Sequence, residues 1–387
     1  MTIPYGRQHV TQADIDAVVE VLRSDWLTQG PMVPRFEQAV ADHCQAAWAV
    51  AVNSATSGLH IACLSLGLGP EDWVWTSPMT FVASANCARY CGARVDFVDI
   101  DPVTYNMSIP ALEKKLIDAE QTGKLPKILI PVHLCGQSCD MEAVDALRQR
   151  YGFRIIEDAS HAIGGSYKNN PVGNCRYGDI AVFSFHPVKI ITTGEGGMAL
   201  TNDPILANRM RRLRSHGVSH QPAEMLSRPE HEIWNYQQLE LGYNYRMTDI
   251  QAALGLSQLS QLDHFIQRRT EIAHRYDVQL RDLPITLPYR QHDIRSSLHL
   301  YPIRVSRERC GKTQRQVYES LKQGGVGVNV HYIPVYRQPY YEQQGFPVGY
   351  CPEAERYFQE TVTLPIHPTL TEAEQDLVIH ALRRLFT

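Results

Sequence analysis

The sequence lacks a disulfide framework and a recognisable metal-binding spacing. Its 387 residues include nine cysteines, an odd number, and none of them forms a C-x-x-C pair. A chain of this size with such cysteine usage indicates reduced thiols in the cytoplasm. Three closely spaced pairs have no second half at a zinc-type spacing: Cys87/Cys91, Cys135/Cys139 and His216/His220. We therefore expect no metal site.

Strong charge and a membrane-spanning run are missing too. A net charge of −4 and a pI near 6.5 argue against nucleic-acid binding. The stretch from Cys44 to Pro70 contains no Asp, Glu, Lys or Arg, but polar residues from Asn53 to Ser57 interrupt it and exclude a membrane span. The first seven residues have no apolar region of a signal peptide. We expect a cytoplasmic protein with no membrane or nucleic-acid partner.

Short apolar runs alternate with helix-like runs through the first two thirds of the chain. This alternation predicts an α/β fold with a mostly parallel sheet and helices on both faces. The predicted strands are Ala47 to Val52, Trp73 to Thr76, Arg94 to Val98, Lys127 to Val132, Arg154 to Glu157 and Ile180 to Phe185. A long helix-like run from Ile250 to Leu280 leads into a smaller C-terminal α+β domain. We place the two domains at residues 1–260 and 261–387, and expect a mobile loop from His216 to Gln238.

One lysine lies between a predicted strand and a glycine-rich segment that follows it. Lys189 follows the apolar run from Ile180 and precedes Gly194, Gly196 and Gly197. A lysine amine has a reference pKa of about 10.4, and partial desolvation lets it form an imine with an aldehyde. The alternative is a lysine on a connection that points into water. A second signal 31 residues earlier favours the cofactor interpretation.

That second signal is an aspartate at the end of a predicted strand. Asp158 closes the apolar run that starts at Phe153. Ligands of open α/β sheets bind at the carboxyl ends of the strands, where this aspartate can reach a cofactor held by Lys189. Pyridoxal phosphate requires a pair of this kind: a lysine binds its aldehyde, and a carboxylate keeps its ring nitrogen protonated. Taken alone, Asp158 could equally be a helix N-cap.

With these two residues in place, the chain resembles the DegT/StrS-type sugar aminotransferases, which are fold type I pyridoxal phosphate enzymes. The resemblance covers essentially the whole chain, and within the family it is closest to the branch that aminates C4 of UDP-sugars in pseudaminic acid biosynthesis. The matching segments are 24–31, 53–57, 159–162, 184–197, 214–217, 241–246, 254–259, 299–303 and 330–332.

The resemblance implies roles for further residues. Phe81 matches an aromatic that stacks on the pyridine ring, although core packing is an equal alternative. Ser184 matches a hydroxyl that binds the cofactor phosphate. His161 would contact the ring hydroxyl or orient Asp158, or it is a core histidine. Asn244 matches a residue that reaches the cofactor phosphate from the neighbouring subunit, which implies a homodimer with shared active sites.

Thr56 and Ser57 follow a predicted strand and open a predicted helix from Ser57 to Leu66. Backbone amides at a helix N-terminus favour phosphate, and an ordinary Ser/Thr N-cap would use the same residues. The family match favours phosphate.

For the substrate, the resemblance implies L-glutamate as the amino donor and a UDP-linked 4-keto-6-deoxy-N-acetyl hexose as the acceptor. Candidate contacts to the nucleotide sugar are Tyr5, Tyr301, His331 and Tyr332, for which surface packing is the alternative. Three other functions stay open: C3 amination, a GDP-linked sugar, or a cofactor-binding regulator without turnover. A dehydratase of the same family is disfavoured, because those enzymes replace the lysine with histidine.

Overall fold

A seven-stranded sheet forms the centre of the molecule. The structure, a computed structural model, describes residues 2–229, 231 and 236–386. The strand order is β1-β9-β8-β5-β4-β2-β3. Strand β9 runs antiparallel to its neighbours β1 and β8, and the other described strands of this sheet are mutually parallel. The described strands are β1 (Trp48–Val52), β2 (Trp73–Thr76), β3 (Arg94–Phe97), β4 (Ile128–Ile130), β5 (Arg154–Asp158), β6 (Ser166–Tyr167), β7 (Asn170–Pro171), β8 (Ile180–Ser184), β9 (Gly197–Thr201), β10 (Val218–Ser219), β11 (Gln237–Gln238), β12 (Ile294–Arg295), β13 (Tyr301–Arg304) and β14 (Thr361–Leu364).

Helices cover both faces of this sheet, which confirms the predicted α/β architecture. The helices are α1 (Gln12–Leu22), α2 (Met32–Cys44), α3 (Ala55–Ser65), α4 (Ala83–Tyr90), α5 (Ile109–Thr122), α6 (Met141–Tyr151), α7 (Pro204–Leu213), α8 (Asp249–Leu259), α9 (Leu262–Leu280), α10 (Arg307–Cys310), α11 (Gln314–Gln323), α12 (Pro339–Glu342), α13 (Pro352–Glu360) and α14 (Glu372–Phe386). The antiparallel strand β9, which begins in the glycine-rich segment after Lys189, was not among the predicted strands.

The alternation of side chains along β8 explains how the sheet is buried on both sides. All five residues of this strand are buried. Val182 packs into one core with Ile156 and Leu59, whereas Phe183 packs into a second core with Phe36. Because successive residues of a strand point to opposite faces, a strand that is buried throughout requires covering elements on both faces of the sheet.

A third core lies in the C-terminal part of the chain. Tyr276, Tyr301 and Val317 are among its buried residues, and the N-terminal Ile3 joins them. The later segment around Tyr336 and Tyr357 packs instead into the core of the central sheet. We propose that the boundary between the two domains lies near residue 260, because this third core is separate from the cores of the central sheet. The segment around Tyr336 would then pack back onto the first domain.

The predicted continuous helix from Ile250 to Leu280 was wrong. Two helices replace it, because Gln261 leaves the helical backbone conformation at φ −104° and ψ 2°. The hydroxyl of Ser260 donates to the carbonyl of Ser257 at 2.6 Å, a local bond that competes with helix continuation.

The polar stretch from His216 to Gln238 contains the short antiparallel pair of β10 and β11. The prediction of a mobile loop falls in part on residues 230 and 232–235, which lie outside the described ranges.

The uncharged stretch from Cys44 to Pro70 forms the end of α2, strand β1, a turn and helix α3. Within the ranges that the structure describes, no helix combines the length and the apolar character needed to cross a membrane.

Candidate active site

A cavity of about 980 Å³ opens at the carboxyl ends of the parallel strands. The C-terminal part of the chain closes one side of it with residues from Asn329 to Ile333 and with Gln338. Ten residues singled out from the sequence line this one cavity: Tyr5, Thr56, Ser57, Phe81, Asp158, His161, Ser184, Lys189, His331 and Tyr332. Tyr301 and Asn244 do not line it.

Lys189 lies in the turn that follows β8. Its backbone amide donates to the carbonyl of His186 at 2.9 Å, which fixes the turn. The side chain is only partly accessible and faces the cavity. Burial lowers the pKa of the Lys189 amine to about 8, and the charge of Asp158 opposes part of this shift. A substantial fraction of the amine is therefore uncharged slightly above neutral pH.

Asp158 ends strand β5, and its side chain is 5% exposed. One carboxylate oxygen, Oδ2, accepts a 2.6 Å hydrogen bond from the hydroxyl of Ser84, and Oδ1 accepts one of 3.1 Å from the amide of Ser160. Residues 159–165 form turns and irregular backbone, so Asp158 does not cap a helix. The carboxylate is held at the cavity wall by a neighbouring helix.

The N-terminus of α3 supplies backbone amides to the same cavity. Ser54 is the N-cap, and its hydroxyl accepts from the amide of Ser57 at 3.2 Å, so the helix begins two residues earlier than predicted. Helix geometry leaves the amides of Ala55 and Thr56 without intrahelical partners, and both residues line the cavity. Ser184, at the end of β8, places a hydroxyl in the same cavity. These groups suit a phosphate.

Phe81 presents an aromatic ring to the cavity. Its side chain is 60% exposed, whereas a core phenylalanine would be buried. Core packing is therefore not the role of this residue. An exposed ring at a cavity wall is the arrangement that a flat aromatic ligand would cover.

His161 is an uncharged imidazole with a defined tautomer. Its Nδ1 accepts from the amide of Cys135 at 3.3 Å, so the proton is on Nε2, which donates to the hydroxyl of Tyr332 at 3.3 Å. Burial, followed by the charge of Lys189, holds the pKa of His161 well below its usual range. The ring of His299 lies 4.4 Å from that of His161 between centroids, and burial lowers its pKa as well.

His331 and Tyr5 form the opposite wall. His331 Nδ1 is 2.8 Å from the hydroxyl of Thr363, and burial and the charge of Lys189 lower its pKa to about 3. The ring of Tyr5 lies 5.2 Å from that of His331. At neutral pH the imidazoles of His161, His299 and His331 carry no charge, and Lys189 is the only lysine or arginine among the cavity-lining residues that the structure describes.

Tyr301 requires a correction. Its side chain is fully buried in the C-terminal core, where the hydroxyl donates to Asp277 at 2.7 Å and the ring packs on Tyr276. The predicted contact with a nucleotide sugar is excluded by this burial.

Asn244 also lies away from the cavity of its own chain. Its backbone pairs with Ser215, and its carbonyl accepts from the side chain of Asn53 at 3.3 Å. Its predicted function across a subunit interface stays a prediction.

Several residues of the site were missed from the sequence. Gln251 lies in the first turn of α8 and donates to the carbonyl of Glu195 at 2.8 Å, and both residues line the cavity. Ser84 does not line the cavity but holds Asp158, and it lies in the first turn of α4, three residues after Phe81. This closeness to Phe81 in the sequence was the one available signal.

The side chains fit pyridoxal phosphate. An amine with a lowered pKa, a buried carboxylate, an exposed aromatic ring and a helix N-terminus with nearby hydroxyls converge on one cavity. These groups match the aldehyde, the ring nitrogen, the ring face and the phosphate of that cofactor.

The sequence matches the model of the DegT/DnrJ/EryC1/StrS aminotransferase family over residues 8–383. Spore coat polysaccharide biosynthesis protein SpsC of Bacillus subtilis is 39% identical over 98% of this chain and 96% of the relative. UDP-4-amino-4,6-dideoxy-N-acetyl-beta-L-altrosamine transaminase of Campylobacter jejuni is 36% identical over 94% of this chain and 92% of the relative.

Two solved structures are similar to this fold over essentially the full length of the chain. A candidate sugar aminotransferase of Streptococcus pneumoniae in its PLP form is 30% identical, with a TM-score of 0.88 over 100% of both chains. PseC of Helicobacter pylori, an aminotransferase of pseudaminic acid biosynthesis, is 32% identical, with a TM-score of 0.88 over 100% of this chain and 99% of the other.

Proposed function

Because this chain belongs to the DegT/DnrJ/EryC1/StrS aminotransferase family, and is thus a pyridoxal phosphate-dependent sugar aminotransferase, we propose that it moves the amino group of L-glutamate to C4 of a UDP-linked 4-keto-6-deoxy-N-acetyl hexose. The observation that carries this choice of sugar is the 36% identity to a UDP-sugar transaminase over 94% of the chain. The similarity to PseC points to the same step of pseudaminic acid biosynthesis.

When bound, pyridoxal phosphate supplies an electron sink for the carbon that loses a proton. The amine of Lys189 would hold the cofactor by its aldehyde until the amino donor binds. The freed amine would remove the proton from the α-carbon of glutamate in the first half of the reaction and deliver a proton to C4 of the sugar in the second. A pKa of about 8 suits both tasks, because the amine exchanges protons readily near neutral pH.

Asp158 keeps the proton on the ring nitrogen, and Ser84 fixes the direction of that carboxylate through the 2.6 Å hydrogen bond. Phe81 stacks on the ring. Ser184 and the amides at the start of α3 bind the phosphate. The neutral imidazole of His161 lies beside this site without adding a second positive charge that would lower the basicity of Lys189.

His331, Tyr332 and Tyr5 are the proposed contacts to the nucleotide sugar. They line the same cavity as Lys189 and Asp158. The hydroxyl of Tyr332 is fixed by His161, so that one polar group of this wall has a defined direction.

Product analysis tests the choice of sugar. The enzyme is incubated with 15N-labelled glutamate and, separately, with a UDP-4-keto-6-deoxy-N-acetyl hexose, a UDP-3-keto sugar and a GDP-4-keto-6-deoxy hexose. We expect 15N in the product of the first alone, by mass spectrometry, and none with Lys189→Ala. Preferred labelling of either other sugar would overturn the proposal while leaving the aminotransferase activity intact.

A second candidate, amination of another nucleotide keto sugar, is favoured by one observation. The spore coat protein SpsC is more similar to this chain, at 39% identity, than is the UDP-sugar transaminase, at 36%. The same panel of sugars decides between the two. A regulator without turnover would yield no 2-oxoglutarate from glutamate when sugar is omitted, whereas the enzyme yields one equivalent per bound cofactor.

We also propose a homodimer in which Asn244 serves the active site of the neighbouring subunit, since Asn244 does not line the cavity of its own chain. A hybrid dimer tests this. Alone, the Lys189→Ala chain should be inactive and the Asn244→Ala chain weakly active. Mixed together, they form one site with both residues intact, so activity recovers if the sites are shared. No recovery in confirmed hybrids would contradict the proposal.

A further inference from the structure

One arginine is buried in the C-terminal core without a carboxylate partner. Arg269 lies on α9 with its side chain 1% exposed, and it forms no ion pair with any residue that the structure describes. Its Nε has no hydrogen-bond partner among those residues either. Burial lowers the pKa of the guanidinium to about 9, so the group stays charged at neutral pH. Because a buried charge without a counter-ion is costly, a compensating role is expected.

Three backbone carbonyls accept hydrogen bonds from this guanidinium. Nη1 of Arg269 donates, at 3.2, 3.3 and 3.0 Å, to the carbonyl oxygens of Leu298, His299 and Ile366. The amide of Ile366 in turn donates to the carbonyl of Tyr5 at 3.0 Å. Tyr5 and His299 both line the cavity. One guanidinium therefore joins α9 to two segments that hold cavity residues.

Residues 297–299, the crossing segment, connect the C-terminal core to the elements around His161. The hydroxyl of Ser297 donates to the carbonyl of His161 at 2.6 Å, and the amide of His299 donates to the carbonyl of Cys135 at 3.0 Å. The rings of His299 and His161 lie 4.4 Å apart between centroids. The donors of the crossing segment thus bind the neighbourhood of His161, whereas its carbonyls bind Arg269.

The backbone is strained on both sides of this contact. Leu298 has φ 54° and Cys135 has φ 60°, a left-handed conformation that residues other than glycine seldom adopt. Gly136 allows the close approach, because a Cβ there would lie 2.9 Å from the carbonyl oxygen of His161. Strained residues persist only where surrounding contacts hold them, and they cluster at active sites. The hydrogen bonds from Arg269 supply such support to Leu298.

We propose that Arg269 is a positioning residue of the amino transfer. It holds the crossing segment against Cys135, and this contact fixes the imidazoles of His161 and His299 at the cavity. Arg269 does not line the cavity, so it acts through these histidines and not on a substrate. The inference concerns the amino transfer as such and does not depend on which nucleotide sugar is the acceptor.

The alternative is that Arg269 stabilises the C-terminal core and nothing more. Arg275, on the same helix, provides the comparison. Its guanidinium donates to the carbonyl of Glu372 at 3.1 Å and to the carboxylate of Asp376 at 2.6 Å, and thereby joins α9 to α14. Arg275→Met is therefore the matched control for an effect on the core alone.

The first test measures hydrogen exchange in the cofactor-free protein. In Arg269→Met, peptides that contain the amides of Cys135 and His299 should exchange at least about tenfold faster than in the native protein, because the crossing segment loses its support. Arg275→Met should accelerate exchange in α14 and leave these two peptides unchanged. Native exchange of both peptides in Arg269→Met, or equal acceleration in the two variants, would overturn the proposal.

The second test uses the cofactor-loaded enzyme with glutamate alone. The rate of this half-reaction should fall about tenfold in Arg269→Met, because a small displacement of groups beside the reacting centre is costly. Arg269→Lys keeps the charge and a donor and should recover part of the loss. Arg275→Met should react at the native rate. Equal rates in Arg269→Met and Arg275→Met would assign Arg269 to the core alone.

A variant at the other end of the contact keeps the test decisive if no variant of Arg269 folds. Ser297→Ala removes one hydroxyl, whose 2.6 Å bond to the carbonyl of His161 belongs to the same contact. It should accelerate exchange at Cys135 and slow the glutamate half-reaction. Native values of both in Ser297→Ala would overturn the proposal.

Discussion

The hydroxyl of Ser84 donates a 2.6 Å hydrogen bond to the carboxylate of Asp158, across 74 residues of sequence. Ser84 is completely buried and also hydrogen-bonds with Thr80 at 2.7 Å. Helix α4, which begins two residues after Phe81, thus fixes the direction of the carboxylate. A hydrogen bond to a charged group is strong enough for its loss to be measurable.

Replacing Ser84 with alanine should lower kcat about tenfold, because hydrogen bonds to charged groups contribute about 1.5–3 kcal/mol. KM for glutamate should change little, since the carboxylate itself remains. Steady-state kinetics measure this. Ser65→Ala is the matched control, because Ser65 is a buried serine whose hydroxyl donates to the carbonyl of Ala62 in its own helix. Equal losses in both variants would indicate a general effect on folding.

Replacing Lys189 with alanine should abolish turnover and the visible absorbance of the lysine-bound cofactor. The amine at the cavity is the group with the lowered pKa, and no other lysine lines the cavity among the described residues. Absorption spectra and the glutamate half-reaction measure this. Lys114→Ala is the control, because the side chain of Lys114 is 80% exposed in a surface ion pair. Turnover by the Lys189 variant would remove this residue from catalysis.

Replacing Asp158 with asparagine should retain the cofactor but lower kcat by a factor of about 100 or more, because an amide cannot hold the ring nitrogen protonated. The phosphate groups and Lys189 still bind, so equilibrium dialysis should show a nearly unchanged affinity. Single-turnover kinetics with glutamate give the rate. An unchanged rate would contradict the assigned role of the carboxylate.

The rate at which pyridoxal phosphate combines with the cofactor-free protein should rise with pH and reach half its maximum near pH 8. The uncharged amine reacts, and burial lowers the pKa of Lys189 to about 8. His161 and His331 stay neutral in this range, because burial keeps their pKa values low. Stopped-flow absorbance measures the rate. In Asp158→Asn the midpoint should move to lower pH, because the charge of Asp158 raises this pKa; a midpoint near 10 in the native protein would contradict the burial effect.

The lowered pKa of Lys189 also makes the stability of the folded protein depend on pH. Because the folded protein binds this proton less tightly than the unfolded chain, the contribution of Lys189 to the free energy of unfolding rises from about pH 8 to about pH 10.5 and is constant below pH 8.

Two tyrosines predicted to share one role should behave differently. Tyr301→Phe should lower the free energy of unfolding by about 1–3 kcal/mol, because the fully buried Tyr301 loses its partly buried bond to Asp277, and leave KM for the sugar unchanged. Tyr332→Phe removes the partner of His161 at the cavity and should change kcat or KM with little effect on stability. Chemical denaturation and kinetics on both variants measure these effects. A raised KM in Tyr301→Phe alone would contradict the placement.

The residues that the sequence predicted best lie at strand ends. Asp158 ends β5 and Lys189 lies in the turn after β8, and parallel strands bring their carboxyl ends to one edge of the sheet. Both were placed by local pattern and general topology, without knowledge of side-chain packing. The same local pattern predicted the start of α3 to within two residues of its observed position.

Only the tertiary structure decided the rest. Tyr301 and Tyr332 look alike in sequence, but one packs on Tyr276 in the C-terminal core and the other faces the cavity, because contacts from distant segments determine which side of each segment is buried. The bond from Ser84 to Asp158 likewise depends on how α4 lies against the sheet. Alternation of apolar residues determines where strands end, whereas the partners of a side chain depend on packing between elements remote in sequence.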